Sequence, residues 1–174
     1  MSTYQRLRHR EIYRNPWIAA ELHEILHPTG VAGEHLLVVP PRASGVLVRD
    51  GAAYVFTTQP RFAAGCDVIE IVKGGADPDE SALACAQREL REELGYVAAS
   101  WQSLGELWEI PSIVSPAVAL FVASEVTRVG NNPEANESIS EVRMTRAQVI
   151  SAMRDGTLND AITIAAFARV ALLE

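Results

Sequence analysis

Cysteine is scarce in this 174-residue sequence, with only Cys66 and Cys85. Two thiols so far apart exclude a disulfide framework and any Cys-x-x-Cys metal knuckle, and are expected to be reduced and in or near the core. No apolar run reaches the length of a membrane span. Met1–Asn15 is polar and Arg-rich and lacks the apolar stretch of a secretion signal, so the expected location is cytoplasmic. Positive charge is also in deficit, with 15 Lys and Arg against 22 Asp and Glu and a net charge of −7. That balance argues against a nucleic-acid partner, whose phosphate backbone demands a basic surface. An anionic substrate would therefore need local positive charge from particular arginines, lysines or metal ions. Four arginines (Arg6, Arg8, Arg10 and Arg14) crowd the first fourteen residues and are read as a solvated arm. Repeats and low-complexity tracts are absent.

What is present is 48% hydrophobic residues, ordinary for a soluble globular protein, in a length enough for one domain with a full core, or one domain plus a small appendage. Strand patterns at Ala20–Leu26 and His35–Val39 precede Pro40-Pro41, where a boundary is expected. This divides a β-segment, 1–41, from a main domain, 42–174. A hairpin follows, Gly45–Val48 and Ala53–Thr58, around Arg49-Asp50-Gly51. Val68–Val72 is a short apolar strand. Further strands are expected at Leu104–Glu109, Ala117–Val126 and Ile139–Met144, and two helices at Arg146–Arg154 and Asp160–Leu173. Mixed strands with one early and two late helices give an α/β layered fold.

The early helix carries the chemistry. Either Asp77-Pro78-Asp79-Glu80 or Ser81 opens it, and Gly95 closes it as a left-handed cap. Leu83, Ala86, Leu90 and Leu94 form an apolar stripe at helical spacing. Glu89 and Glu93 stand one turn apart at the edge of that stripe. Glu92 neighbours Glu89, and Arg88 neighbours Glu92. Carboxylates so close raise one another's pKa, and a divalent cation reverses the sign of the effect. Mg²⁺ takes oxygen ligands and shares them with phosphates, so the cluster reads as a metal site, or else as a solvated acidic face.

The spacing settles the weight. Gly74, Glu80, Arg88, Glu89, Glu92, Glu93 and Gly95 occupy every fixed position of G-x5-E-x7-R-E-U-x-E-E-x-G-U, with Leu90 at the first bulky apolar position U. Chance agreement is on the order of 10⁻⁹ per starting point at average residue frequencies. This pattern resembles the Nudix box. Tyr96 departs from it, standing where an aliphatic is usual.

The resemblance implies a Nudix-type α/β/α sandwich with a mixed sheet and hydrolysis of a nucleoside diphosphate derivative. It implies Glu89, Glu92 and Glu93 as ligands of Mg²⁺, or of Mn²⁺, joined by the Lys73 carbonyl. Glu80 would support the loop, and Arg88 would orient a glutamate. Flanking residues resemble the branch of ADP-ribose pyrophosphatases and ADP-compounds hydrolases. Within Gln59-Pro60-Arg61, Arg61 would hold the diphosphate beside Gln59. Glu70 would be a further acidic site group, Arg42 another substrate contact, and Pro111 a marker of ADP-ribose-type members. Glu137, in Asn132–Ser138 with Glu134, would be the mobile-loop base. The N-terminal segment would form a homodimer, with Tyr13 or Trp17 either stacking on adenine or packing in a core or interface. Departures are Lys73 before Gly74 and Asp79 where glycine is common. ADP-ribose, giving AMP and a sugar phosphate, is the expected substrate. NADH, diadenosine polyphosphates, nucleotide sugars and a non-catalytic ADP-ribose-binding module stay open.

Overall fold

The computed structural model describes residues 3–130 and 138–173. They divide into two compact units, Met1–Arg42 with Trp108–Ala117, and Ala43–Leu107 with Val118–Glu174. Nothing in the sequence announces the excursion of Trp108–Ala117 into the first unit.

The first unit is a three-stranded antiparallel sheet in the order β1 (Gln5–Arg14), β2 (Ala19–Leu26), β3 (Ala32–Val39). β1 corrects the expectation of a solvated arm: the Arg-rich segment pairs along its length with β2, and Arg8 stands opposite Glu24. All ten of its residues are exposed. An opposite-charge cross-strand neighbour and a backbone ladder with two register shifts, at Arg6/Arg8 and Glu11/Tyr13, hold it without any buried face. Val38 on β3 is bracketed by the excursion, its N–H donating to the Ile113 carbonyl (2.8 Å) and its carbonyl accepting from Ser115 N–H (3.1 Å).

The second unit is built on a mixed sheet in the order β10 (Ser140–Thr145), β5 (Ala53–Arg61), β4 (Ala43–Asp50), β9 (Val118–Arg128), β8 (Tyr96–Leu107). β4 and β9 run parallel, and the other pairings are antiparallel. The β4–β5 hairpin closes with Asp50 opposite Ala53, so Gly51-Ala52 is the two-residue loop. Gly51 sits at φ +59°, the first-position geometry that type II′ turns require. Beyond Val48 and Val55 the two strands part. β6 (Cys66–Glu70) takes the edge of β5, and β7 (Val72–Gly75) takes the edge of β4. The apolar run expected as one strand is thus broken at Ile71, which leaves Glu70 at the base of the split.

Side chains alternate between two cores, as period-two strands require. Leu47, Phe56 and Leu120 pack with Val149 of α2 (Arg146–Asp155) and Ile162 and Phe167 of α3 (Ala161–Leu173). Val46, Val48, Val55 and Ala123 pack with Ala86, Leu90 and Leu94 of α1 (Ala82–Leu94). Burial of a leucine such as Leu90 contributes about 2 kcal/mol to fixing α1 on the sheet. Among the described residues no helix is long and apolar enough to cross a membrane.

Candidate active site

Ser81, not Asp77, caps α1: its side chain accepts from Ala84 N–H at 3.1 Å, and Gly95 ends the helix in the left-handed region. Asp77–Glu80 is instead a tight turn, with Glu80 N–H donating to the Asp77 carbonyl (3.1 Å) and the Glu80 carboxylate accepting from Asp77 N–H (2.9 Å). Asp79 takes φ +64° inside it, the conformation for which glycine is the usual choice and Asp a tolerated one. Ser44 on β4 donates to the Ala82 carbonyl at 2.7 Å and ties the start of the helix to the sheet.

The buried face of α1 is Cys85, Ala86, Glu89, Leu90, Glu93 and Leu94. Leu83, expected on the stripe, is exposed, and Cys85 takes that role, its thiol pushed up first by burial. Cys66 is exposed, correcting its expected place in or near the core. Two of the six buried helix residues are therefore carboxylates. Glu89 lies directly on Gly74: a Cβ there would sit 1.9 Å from the Glu89 carboxyl carbon. Only glycine permits this approach, so the first fixed position of the motif is a steric requirement of its fourth.

Arg88 is the hub. It donates through Nε (3.0 Å) and Nη2 (3.0 Å) to the two oxygens of Glu80, through Nη1 to Glu89 Oε1 (2.7 Å) and Glu92 Oε2 (2.9 Å), and through Nη2 to the Gly75 carbonyl (2.8 Å). The Glu80 pairing dominates in raising the guanidinium pKa, and Arg88 in turn holds the Glu80 carboxyl below its ordinary value. One arginine thus bridges three of the carboxylates before any metal ion is considered. Three carboxylates share this one cation, and Glu93, 3% exposed, is buried one turn further along the helix. Among the described residues no three acidic, His or Cys side chains close into a metal cage. The donor set nonetheless suits a hard cation: carboxylates of which Arg88 takes one oxygen from Glu89 and one from Glu92, beside a backbone slot at Gly74 that a Cβ would fill.

A second cluster occupies the split in the sheet. The Glu70 carboxylate is buried and accepts from Arg61 Nε (2.9 Å) and Nη2 (2.6 Å), Gln59 Nε2 (3.5 Å) and Lys73 Nζ (3.1 Å). Lys73 also reaches Asp160 Oδ1 at 3.2 Å. Asp160 Oδ2 accepts from Thr163 N–H (2.9 Å) and Thr163 Oγ1 (2.6 Å), capping α3, while Thr163 Oγ1 accepts from Ile71 N–H (2.9 Å) at the strand break. Burial pushes the Asp160 carboxyl up, but the Lys73 ammonium and the Thr163 donors outweigh it and hold the pKa below its ordinary value.

The structure thus brings Gly74, Glu80, Arg88, Glu89, Glu92, Glu93 and Gly95 together around one helix. It gathers Gln59, Arg61, Glu70 and Lys73 around the sheet split. Arg61 turns its guanidinium onto Glu70, and the Lys73 side chain is taken up by two carboxylates. Arg42 and Pro111 belong to the first unit, as do Tyr13 and Trp17, which are exposed rather than in a core. Glu134 and Glu137 lie outside the described residues. Asp160 and Thr163 are the members that sequence reasoning missed. Their signal was Asp-x-x-Thr at a helix start, which also reads as an ordinary cap. The departure at Tyr96 is accommodated by burying its ring, while its hydroxyl accepts from Arg128 (3.1 Å) and Arg143 (3.2 Å) and donates to Glu141 (3.3 Å).

Comparison with known proteins places this geometry. Residues 39–167 match the family described as NUDIX domain. The chain is 30% identical over 107 residues to the ADP compounds hydrolase NudE of Escherichia coli (strain K12), a match covering 60% of this chain and 58% of that protein. It is 25% identical over 167 residues to the ADP-ribose pyrophosphatase of Bacillus subtilis (strain 168), covering 94% of this chain and 90% of that protein. A crystal structure of an ADP compounds hydrolase shares the fold with a TM-score of 0.84 at 22% identity, covering 98% of this chain and 93% of that one.

Proposed function

Because this chain belongs to the Nudix family, we propose that it hydrolyses the diphosphate bond of ADP-ribose, giving AMP and ribose 5-phosphate. The observation that carries the proposal is the packing of Glu89 against Gly74, with Glu93 buried one turn further along α1. Carboxylates held at a backbone slot, in excess over the one arginine that bridges them, favour a divalent cation shared with a diphosphate. Nudix hydrolases generally use divalent metal ions. Glu89, Glu92, Glu93 and the Lys73 carbonyl would hold Mg²⁺. When bound, it neutralises charge on the diphosphate and lowers the pKa of a coordinated water.

The protein's own groups do the remaining work. Arg88 and Glu80 fix Glu89 and Glu92 in place. Arg61, anchored by Glu70 and with a side chain 40% exposed, offers its remaining face to the phosphate that does not react. Glu137 or a glutamate of α1 takes the proton of the attacking water. The ten exposed residues of β1, at the edge of the first unit's sheet, support a homodimer built on that edge. A monomeric mass by light scattering would remove that last element.

The test is Glu93→Gln assayed with ADP-ribose and Mg²⁺. Turnover should fall by about 10³-fold with the fold intact by circular dichroism. A near-normal rate would refute the site. NADH and diadenosine triphosphate in the same assay show whether ADP-ribose is the preferred diphosphate.

A further inference from the structure

Where β6 and β7 part, a short piece of backbone has little strand support. β7 is four residues long and takes β4 as its strand partner, while β6 lies on β5. Ile71 falls between the two ladders. It is 1% exposed, and a backbone N–H buried there needs an acceptor. Thr163, fully buried in the first turn of α3, supplies it: Oγ1 accepts from Ile71 N–H at 2.9 Å, although 92 positions of sequence separate the two. A hydroxyl has one proton to give. Thr163 gives it to Asp160 Oδ2 (2.6 Å), which leaves the oxygen's lone pairs for the strand break. Asp160 Oδ1 in turn accepts from Lys73 Nζ (3.2 Å).

The start of α3 therefore grips the break at two points, the Ile71 N–H and the Lys73 ammonium. Gly74 is the next residue. The Glu89 carboxyl carbon lies 1.9 Å from where a Gly74 Cβ would stand, so a displaced break is passed directly to Glu89. Packing alone does not call for a hydroxyl at position 163. The rest of α3 from Ala161 to Phe167 is apolar, and valine has the same branched shape as threonine.

We infer that Thr163 is a positioning residue for the cleavage site: its hydroxyl, working through Ile71 and Asp160, sets where Lys73 and Gly74 stand against Glu89. This rests on reading the site as a cation-dependent hydrolase, and two readouts separate the claims. Mn²⁺ is titrated by calorimetry into the protein without substrate, and ADP-ribose kinetics are measured with Mg²⁺. Thr163→Val should weaken Mn²⁺ binding about tenfold and lower kcat by a similar factor, with KM within about twofold of wild type. Thr163→Ser, which keeps the hydroxyl, should recover most of both losses. Thr163→Ala carries the same expectation as Thr163→Val and replaces it should that variant not fold. Ile162→Val is the structural control, since it trims an apolar side chain in the same turn of α3, packed in the core. It should lower the urea midpoint and leave Mn²⁺ affinity and kcat unchanged. Wild-type Mn²⁺ affinity in Thr163→Val, or losses of the same size in Ile162→Val, would overturn the positioning role. A wild type that takes up no Mn²⁺ would overturn both readings. A wild type that binds Mn²⁺ but cleaves no diphosphate would refute the hydrolase reading alone, and weaker Mn²⁺ binding in Thr163→Val would still support the role of Thr163.

Discussion

The two charged clusters of the second unit are built to opposite plans. Around α1, one guanidinium is hydrogen-bonded to three carboxylates, Glu80, Glu89 and Glu92, and has Asp77 at 3.9 Å. In the sheet split, two cations, Arg61 and Lys73, face two carboxylates, Glu70 and Asp160, and Thr163 takes up part of the remaining acceptor capacity. The first cluster is left with surplus negative charge, the second with none. A balanced network among strands and helix ends fixes geometry, because partly satisfied buried charge is costly and fully satisfied charge is rigid. Under the proposed function, the carboxylates held by Arg88 are where a divalent cation would bind. The contrast teaches that acidic residues alone do not mark a metal site: Glu70 is buried and its charge is already met by Arg61 and Lys73.

The sharpest way to break the comparison is Gly74→Ala. The new methyl group would collide with the Glu89 carboxylate, so either that side chain or β7 must move. Displacing a reacting group by about 1 Å costs on the order of 10²-fold in rate, and overpacking costs about 1 to 3 kcal/mol of stability. A Gly74→Ala protein with wild-type turnover of ADP-ribose would mean that the position of Glu89 is irrelevant to the chemistry.

Arg88→Ala should have a smaller and more informative effect. Removing the guanidinium leaves three carboxylates facing one another, and the partly exposed setting, with the Arg88 side chain 28% exposed, discounts the loss to about 2 kcal/mol. Turnover should fall by about tenfold, as for residues that orient metal ligands. Urea denaturation with and without saturating Mg²⁺ decides the point. The cation should stabilise the variant more than the wild type, because it then neutralises charge that Arg88 otherwise meets. Equal stabilisation of both proteins would show that the surplus is not what recruits the ion.

The same contrast explains how much could be read from the chain itself. Arg88, Glu89, Glu92 and Glu93 lie within six residues of α1, so helical periodicity brings their side chains to one place, and the turn just before the helix adds Glu80. The hairpin at Gly51 and the helix ends were legible for the same local reason. The Glu70 cluster depends on β4 and β5 parting after Val48 and Val55, and on α3 returning Asp160 to Lys73 from 87 residues away. No local pattern encodes either. Glu70, Arg61 and Gln59 were reached through resemblance, and their mutual pairing was not foreseen. β1 was misread because ten exposed residues carry no hydrophobic alternation, and its partner strand alone defines it. Leu83 was misplaced because the buried face of α1 centres on Glu89 and Glu93, which the apolar stripe put at its edge.

The smallest expected effect belongs to the balanced cluster. Asp160→Asn keeps a good helix cap, since Asn serves there nearly as well as Asp, and removes only the charge facing Lys73. The loss at neutral pH should be about 1 kcal/mol. Its pH dependence identifies the cause. The Asp160 pKa is lowered in the folded protein, so its contribution is fully present above the unfolded value, about 3.9, and disappears as pH falls through the folded pKa. Thermal melting of wild type and variant should therefore differ at pH 7 and converge in strong acid. Glu80, held low by Arg88, titrates in the same acid window in both proteins and cancels from the difference. A gap that persists undiminished at low pH would assign the loss to capping geometry instead of charge, and would end the description of the sheet-split cluster as electrostatically closed.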